Sequence, residues 1–131
     1  MAASEPWITL GTSREQCATA CSDPHHLVYV AHDKGRPTGL IVLHPSGVAG
    51  SPYIKSICVM PGARSNGIGQ EMIAFAEDLF RPNFKHIFLC VSRFNTRARQ
   101  LYEKLDYKQV GEFHDYILPG ESELLMHKRL K

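Results

Sequence analysis

The passage that most limits how this chain can fold is Ile57-Cys58-Val59-Met60-Pro61-Gly62-Ala63-Arg64-Ser65-Asn66-Gly67-Ile68-Gly69. An apolar, strand-like run meets a turn rich in Gly and Pro. The turn opens onto a segment with apolar residues at Ile68, Met72, Ile73, Ala76, Leu79 and Phe80, a helical spacing. Arg81-Pro82-Asn83 ends that helix, because proline cannot continue the hydrogen-bond ladder. His86 to Val91 is then almost continuously apolar, as expected for a strand covered on both faces. Strand, helix and strand in this order predict a parallel pair joined by a right-handed crossover.

The turn itself suits an anion. A helix start presents backbone N–H groups without intrahelical partners and the positive end of the macrodipole. Gly67 and Gly69 let those groups come close to a ligand, and Arg64 adds a fixed positive charge. Together they suit a pyrophosphate, although two glycines at a strand-to-helix corner also make an ordinary tight turn. A phosphate-binding P-loop would place Lys and Ser or Thr after the second glycine, where Gln70-Glu71 stand. A dinucleotide fingerprint would place a third glycine at Met72 and an acidic residue on the next strand, which has none.

Other elements flank this unit. Ser13-x-x-Gln16 resembles a capping box and predicts a short helix to about Ser22. Leu27–His32 and Thr38–His44 read as a hairpin about the turn Asp33–Pro37. Pro45–Pro52 reads as a loop, and Tyr53–Val59 as a third strand. A helix over Thr96–Leu105 precedes strands at Tyr107–Phe113 and Glu123–Leu130, joined by a turn at Pro119-Gly120. The fold class is α/β (α+β where mixed sheets are scored so), within one domain over residues 1–131.

Two patterns match a known family. Ile57 to Gly69 resembles motif A of the GNAT N-acetyltransferases: an apolar strand, Val-x-Pro, then Arg/Gln-x-x-Gly-x-Gly/Ala opening a helix. Asn95-Thr-Arg-Ala98-Arg-Gln-Leu101-Tyr102-Glu-Lys-Leu-Asp106-Tyr107 resembles that family's second signature, with Asp106 where glycine is usual. Asp is among the residues that tolerate a left-handed helix end.

The resemblance implies a mixed sheet of about six strands that splays where the third and fourth strands part. It implies acetyl-CoA as cosubstrate. The pantetheine arm would pair with the backbone of Ile57, Cys58 and Val59. The pyrophosphate would lie on Arg64, Ser65, Asn66, Gly67, Ile68 and Gly69. Asn95 would contact the arm, and Tyr102 would face the thioester sulfur and protonate the leaving thiolate. A small-molecule or peptide amine is the implied acceptor. Some family members carry a glutamate base on one of the two parting strands. Here those strands offer Tyr53, Lys55, Cys90 and Ser92 instead. Glu112, His114, Asp115, Tyr116 and Glu123 are the other candidates, and a water relay would need no dedicated base. An acyl-CoA sensor without turnover, and a partner-binding protein with a vestigial cleft, are the competing readings.

Several classes are disfavoured. A formal net charge of +2 is too small to argue for nucleic acid. There is no apolar run long enough for a membrane span and no signal-like start at Met1 to Trp7, so a cytoplasmic location is expected. Cys58 and Cys90 lie in apolar runs and read as buried free thiols. Cys17, Cys21, His25 and His26 have metal-ligand chemistry but lack further partners, so no metal is expected. Arg93, Arg97 and Arg99 suit a solvated helix face, or alternatively the 3′-phosphate of CoA. Few residues precede Leu27, which leaves the first hairpin strand as a sheet edge. Either a homodimer partner or Trp7–Leu10 is expected to cover it.

Overall fold

The computed structural model describes residues 25–60, 67–115 and 119–131. The expected helix over 13–22, the Trp7–Leu10 segment, Cys17, Cys21 and the turn residues Arg64, Ser65 and Asn66 lie outside these. The described elements run β1 (Leu27–Asp33), β2 (Arg36–Val48), β3 (Ser51–Val59), α1 (Ile68–Phe80), β4 (His86–Ser92), α2 (Thr96–Lys104), β5 (Lys108–His114) and β6 (Ser122–Arg129). They form a mixed six-stranded sheet in the order β1-β2-β3-β4-β6-β5.

The first three strands make a meander with two-residue turns. Lys34 and Gly35 have φ of 51° and 79°, and Ala49 and Gly50 have φ of 49° and 79°. Positive φ at both central residues is the turn pattern whose twist matches flanking antiparallel strands. The loop expected over Pro45–Pro52 is therefore shorter than its composition suggests. Strand structure runs on to Val48 and resumes at Ser51. Pro45, Ser46 and Gly47 occupy an irregular stretch between the pairs His44↔Tyr53 and Val48↔Ser51. Proline cannot donate to the ladder, and the register shift accommodates it.

Among the described strands only β3 and β4 run parallel, and they pair only at Tyr53↔Phe88 and Ile54↔Leu89. Beyond that point each strand stays bound to its outer neighbour. β3 follows β2 out to Gly39↔Val59, and β4 follows β6 out to Ser92↔Glu123. The sheet therefore opens in its middle, as expected, while both flanks remain hydrogen-bonded.

The main core lies on the face covered by α1. Met72, Ile73, Ala76 and Phe80 pack with Ile41, Leu43, Ile54, Ile87, Leu89, Val91, Leu124 and Met126. Burying one such large side chain contributes roughly 1.5–3 kcal/mol. The helical pattern of α1 departs from expectation at two positions. Leu79 is exposed, whereas Glu77 is buried. Glu77 is tolerated because Lys128 Nζ reaches both its oxygens at 3.0 and 3.1 Å and the Tyr107 hydroxyl donates at 2.9 Å. A buried charge paired in this way avoids the large cost of isolation.

Helix α2 ends in a left-handed residue. Asp106 has φ 76°; its N–H donates to Glu103 O at 3.1 Å, and the Tyr107 N–H donates to Tyr102 O at 2.9 Å. These are the two bonds of a Schellman cap, formed here without glycine. Asp106→Gly should stabilise the fold by about 0.5–1 kcal/mol by removing the left-handed penalty. Denaturant unfolding tests this: an unchanged or lowered midpoint would contradict it.

Candidate functional site

The opening between β3 and β4 starts at a bulge. Val42 pairs Ser56 and Leu43 pairs Ile54, so Lys55 is an extra residue on β3. A bulge changes which way the following side chains point. Ile54, Ile57 and Val59 all contact the helix-side core as a result. Cys58 and Ser56, paired with Leu40 and Val42, are buried on the other face. The backbone of Ile57, Cys58 and Val59 thus borders the gap on one side.

The start of α1 closes the adjoining end. Gly67 is its N-cap, in a left-handed conformation (φ 73°) and with no side-chain cap. The first helical bond runs from the Glu71 N–H to Gly67 O at 3.0 Å. The amides of Ile68, Gly69 and Gln70 precede that ladder and suit an external acceptor. A Cβ at Gly69 would lie 3.8 Å from Val59 Cγ2 and 3.9 Å from Leu101 Cδ2, which is ordinary contact. Packing within the protein therefore does not require glycine at 69. Close approach of a ligand would.

Helix α2 borders the helix-side face of the site. Asn95 is its N-cap, with Oδ1 accepting from the Ala98 N–H at 3.2 Å. Ala98, Tyr102 and Leu105 are half-buried against the core. Burial alone pushes the Tyr102 phenol up to about 12, so it stays protonated across the neutral range. Arg93 and Arg97 are exposed, as a solvated face requires, whereas Arg99 is half-buried. Arg99 Nη1 donates to Arg93 O at 3.0 Å, and Arg93 pairs with Glu112 at 3.7 Å.

The opposite face holds a group of polar side chains from three strands. Glu123 on β6 is 8% exposed and accepts a 2.5 Å hydrogen bond from Ser92 Oγ on β4. Two residues back on β4 is Cys90, a free, half-buried thiol rather than a fully buried one. Burial pushes that thiol up, a hydrogen bond from Tyr53 on β3 pulls it back, and the charges of Glu123 and Lys55 act in opposite senses. Burial also pushes the Glu123 carboxyl up, and the Ser92 hydrogen bond pulls it partly back. Sequence reasoning left Glu123 level with four other candidates. What singles it out is its register opposite Ser92, a pairing between residues distant in the chain. Of the others, Glu112 pairs with Arg93 and lies 3.4 Å from His114 Nδ1, Asp115 is exposed, and Tyr116 lies outside the described residues.

A separate apolar cleft of about 280 Å³ lies between β1 and α1, lined by Tyr29, Ile41, Ile68, Met72 and Phe75. It sits toward the β1 edge, where Val28 and Val30 are exposed. Among the described residues there is no cluster of His, Cys, Asp and Glu that could hold a metal, and no helix long and apolar enough to cross a membrane.

The raised Glu123 carboxyl has a consequence for stability. It favours the fold below the ordinary carboxylate range, and that contribution is lost as pH rises through the folded-state value. Glu123→Gln keeps an acceptor for Ser92 without the charge. It should melt higher than the parent at pH 8, with the advantage shrinking toward pH 4. Parallel melting curves at every pH would show that the carboxylate is not desolvated.

A model of the acetyltransferase (GNAT) family matches residues 2–107, a span that takes in both the glycine turn and Tyr102. No curated protein matches the chain by sequence. Solved structures do match by shape. An IAA acetyltransferase from Bacillus cereus superposes with a TM-score of 0.80 at 19% identity, over 98% of this chain and 89% of that one. The ribosomal-protein-S18-alanine N-acetyltransferase from Escherichia coli gives 0.77 at 18% identity, over 91% and 77%. An aminoglycoside 6'-N-acetyltransferase complexed with coenzyme A gives 0.72 at 19% identity, over 89% and 79%. At such identities the likeness establishes the fold, and the family match adds the lineage: the chain belongs to the GNAT family of acetyltransferases.

Proposed function

We propose that this protein transfers the acetyl group of acetyl-CoA to a primary amine by direct attack, the acceptor being a small molecule or a peptide. The observation that carries the reading is the gap between β3 and β4 beside an uncapped helix start. Backbone groups bordering such a gap need partners, and the amide-bearing pantetheine arm can supply them along Ile57, Cys58 and Val59. The pyrophosphate is assigned to the turn and helix start, Arg64, Ser65, Asn66, Gly67, Ile68 and Gly69. The Asn95 cap uses its Oδ1, so contact with the arm falls to its amide nitrogen. Acetyl-CoA supplies an activated acyl thioester, and amine attack on it needs no metal.

Tyr102 is assigned as the acid. Burial keeps the phenol protonated and available as a donor. Transfer to a thiolate of reference pKa roughly 8.5 is uphill on its own, and is completed when the proton leaving the nitrogen restores the phenol as the amide forms. A backbone N–H of the Ile57–Val59 segment is assigned to the developing oxyanion. The β1 strand, with Val28 and Val30 exposed, is where a homodimer partner or the Trp7–Leu10 segment would pair.

Calorimetry and a thiol-release assay over a panel of amines test the reading together. Wild type should bind acetyl-CoA and release thiol with at least one amine. Gly67→Glu should abolish binding, by setting a carboxylate against the phosphates and a side chain at a left-handed position. Tyr102→Phe should bind acetyl-CoA normally and turn over about 100-fold more slowly. Binding without turnover on any amine would favour a sensor. Unchanged turnover in Tyr102→Phe would remove it from the mechanism.

A further inference from the structure

We propose that Glu123 is the base that receives the proton of the acceptor amine, with Ser92 as its positioning residue. This rests on the acetyl-transfer reading and supplies what the two parting strands lack, a carboxylate.

The argument begins with an imbalance of charge. Among the described residues two carboxylate side chains are buried, Glu77 and Glu123. Glu77 is neutralised by Lys128. Glu123 forms no ion pair among the described residues, and its hydrogen bond comes from a neutral hydroxyl. A buried carboxylate without a cation is costly, and a positively charged ligand would offset that cost. A protonated amine is one.

Position supports the assignment. Glu123 pairs with Ser92 at the last rung of the β4–β6 ladder, beyond the point where β3 leaves β4. Side chains alternate along a strand. Leu124 and Val91 point into the helix-side core, so Glu123 and Ser92 point to the other face. The helix start assigned to the phosphates, and Tyr102, lie on the helix side. Cofactor and acceptor therefore approach the gap from opposite faces, with the acid on one side and the base on the other. Burial raises the Glu123 carboxyl, which brings it closer to the working range of a base at neutral pH. Of the titratable groups on this face, Cys90 on β4 feels the charge of Glu123, and Tyr53 and Lys55 on β3 act on Cys90 in turn. Glu112 and His114, the neighbours of its β5 partner Phe113, fall on the opposite face by alternation.

The protons balance as follows. The ammonium passes one proton to Glu123 and becomes a neutral amine. The amine nitrogen bonds to the thioester carbonyl carbon, and the carbon–sulfur bond then breaks. Tyr102 gives its phenolic proton to the sulfur and is restored by the proton that leaves the nitrogen as the amide forms. Glu123 returns its proton to solvent, so one proton is released per turnover.

The test is the pH dependence of kcat with a primary amine that wild type accepts, alongside calorimetry with acetyl-CoA. Wild type should lose kcat on the acid side as Glu123 protonates. Glu123→Gln should bind acetyl-CoA normally, lose about 100-fold or more in kcat, and lack that acid limb. Ser92→Ala should keep the limb and move it to higher pH, because the hydrogen bond that lowers the carboxyl is gone. A purely structural serine would leave the limb in place. Glu112→Gln should leave it unmoved. Glu123→Gln with wild-type kcat, or a limb that vanishes in Glu112→Gln, would overturn the proposal. Failure of wild type to bind acetyl-CoA would instead overturn the transfer reading itself.

Discussion

The structure depends on a sheet that opens in its interior. β3 and β4 pair over two rungs and then part, while β2 and β6 hold their outer sides to the end. An unmet backbone donor or acceptor in a buried place costs about 1–3 kcal/mol, so such a gap persists only where something polar fills it. The bulge at Lys55 re-aims the side chains after Ile54, so that Ile57 and Val59 face the helix-side core while Ser56 and Cys58 face the other side. The left-handed Gly67 then starts α1 with its first amides uncapped beside the gap.

The two assigned proton carriers are tuned by the same force. Desolvation keeps the Tyr102 phenol protonated and lifts the Glu123 carboxyl toward neutrality. For Tyr102 this keeps the proton in place until the carbon–sulfur bond breaks, and makes the phenoxide a ready acceptor for the proton that leaves the nitrogen. For Glu123 it means that the ionised form weakens the fold at the pH where the enzyme would use it. A buried charge that costs stability, placed past the point where β3 leaves β4, is typical of a site kept for chemistry rather than packing.

Local signals in the sequence carried much of this architecture. The apolar run to Val59, the glycines before Ile68 and the proline after Phe80 marked the strand-helix-strand unit, and the structure places β3, α1 and β4 there. Asp106 was readable as a left-handed cap because Asp tolerates that region. Positions set by distant partners were not readable. Glu77 is not among the apolar positions of α1, and only Lys128 and Tyr107, distant in the chain, explain its burial. Pro45 and Gly47 suggested a loop, but pairing with β3 carries the strand past them. Glu123 stood among several acidic residues until the β4–β6 register set it against Ser92. The Lys55 bulge has no local signature at all.

The central claim is that main-chain amides along the gap and at the α1 start hold the cofactor. Hydrogen exchange with and without acetyl-CoA measures it most directly. Protection should appear at the amides of Ile57 to Val59 and of Ile68 to Gln70, and leave β5, at the far edge of the sheet, unchanged. Exchange that is unaltered at both segments under saturating acetyl-CoA would contradict the account.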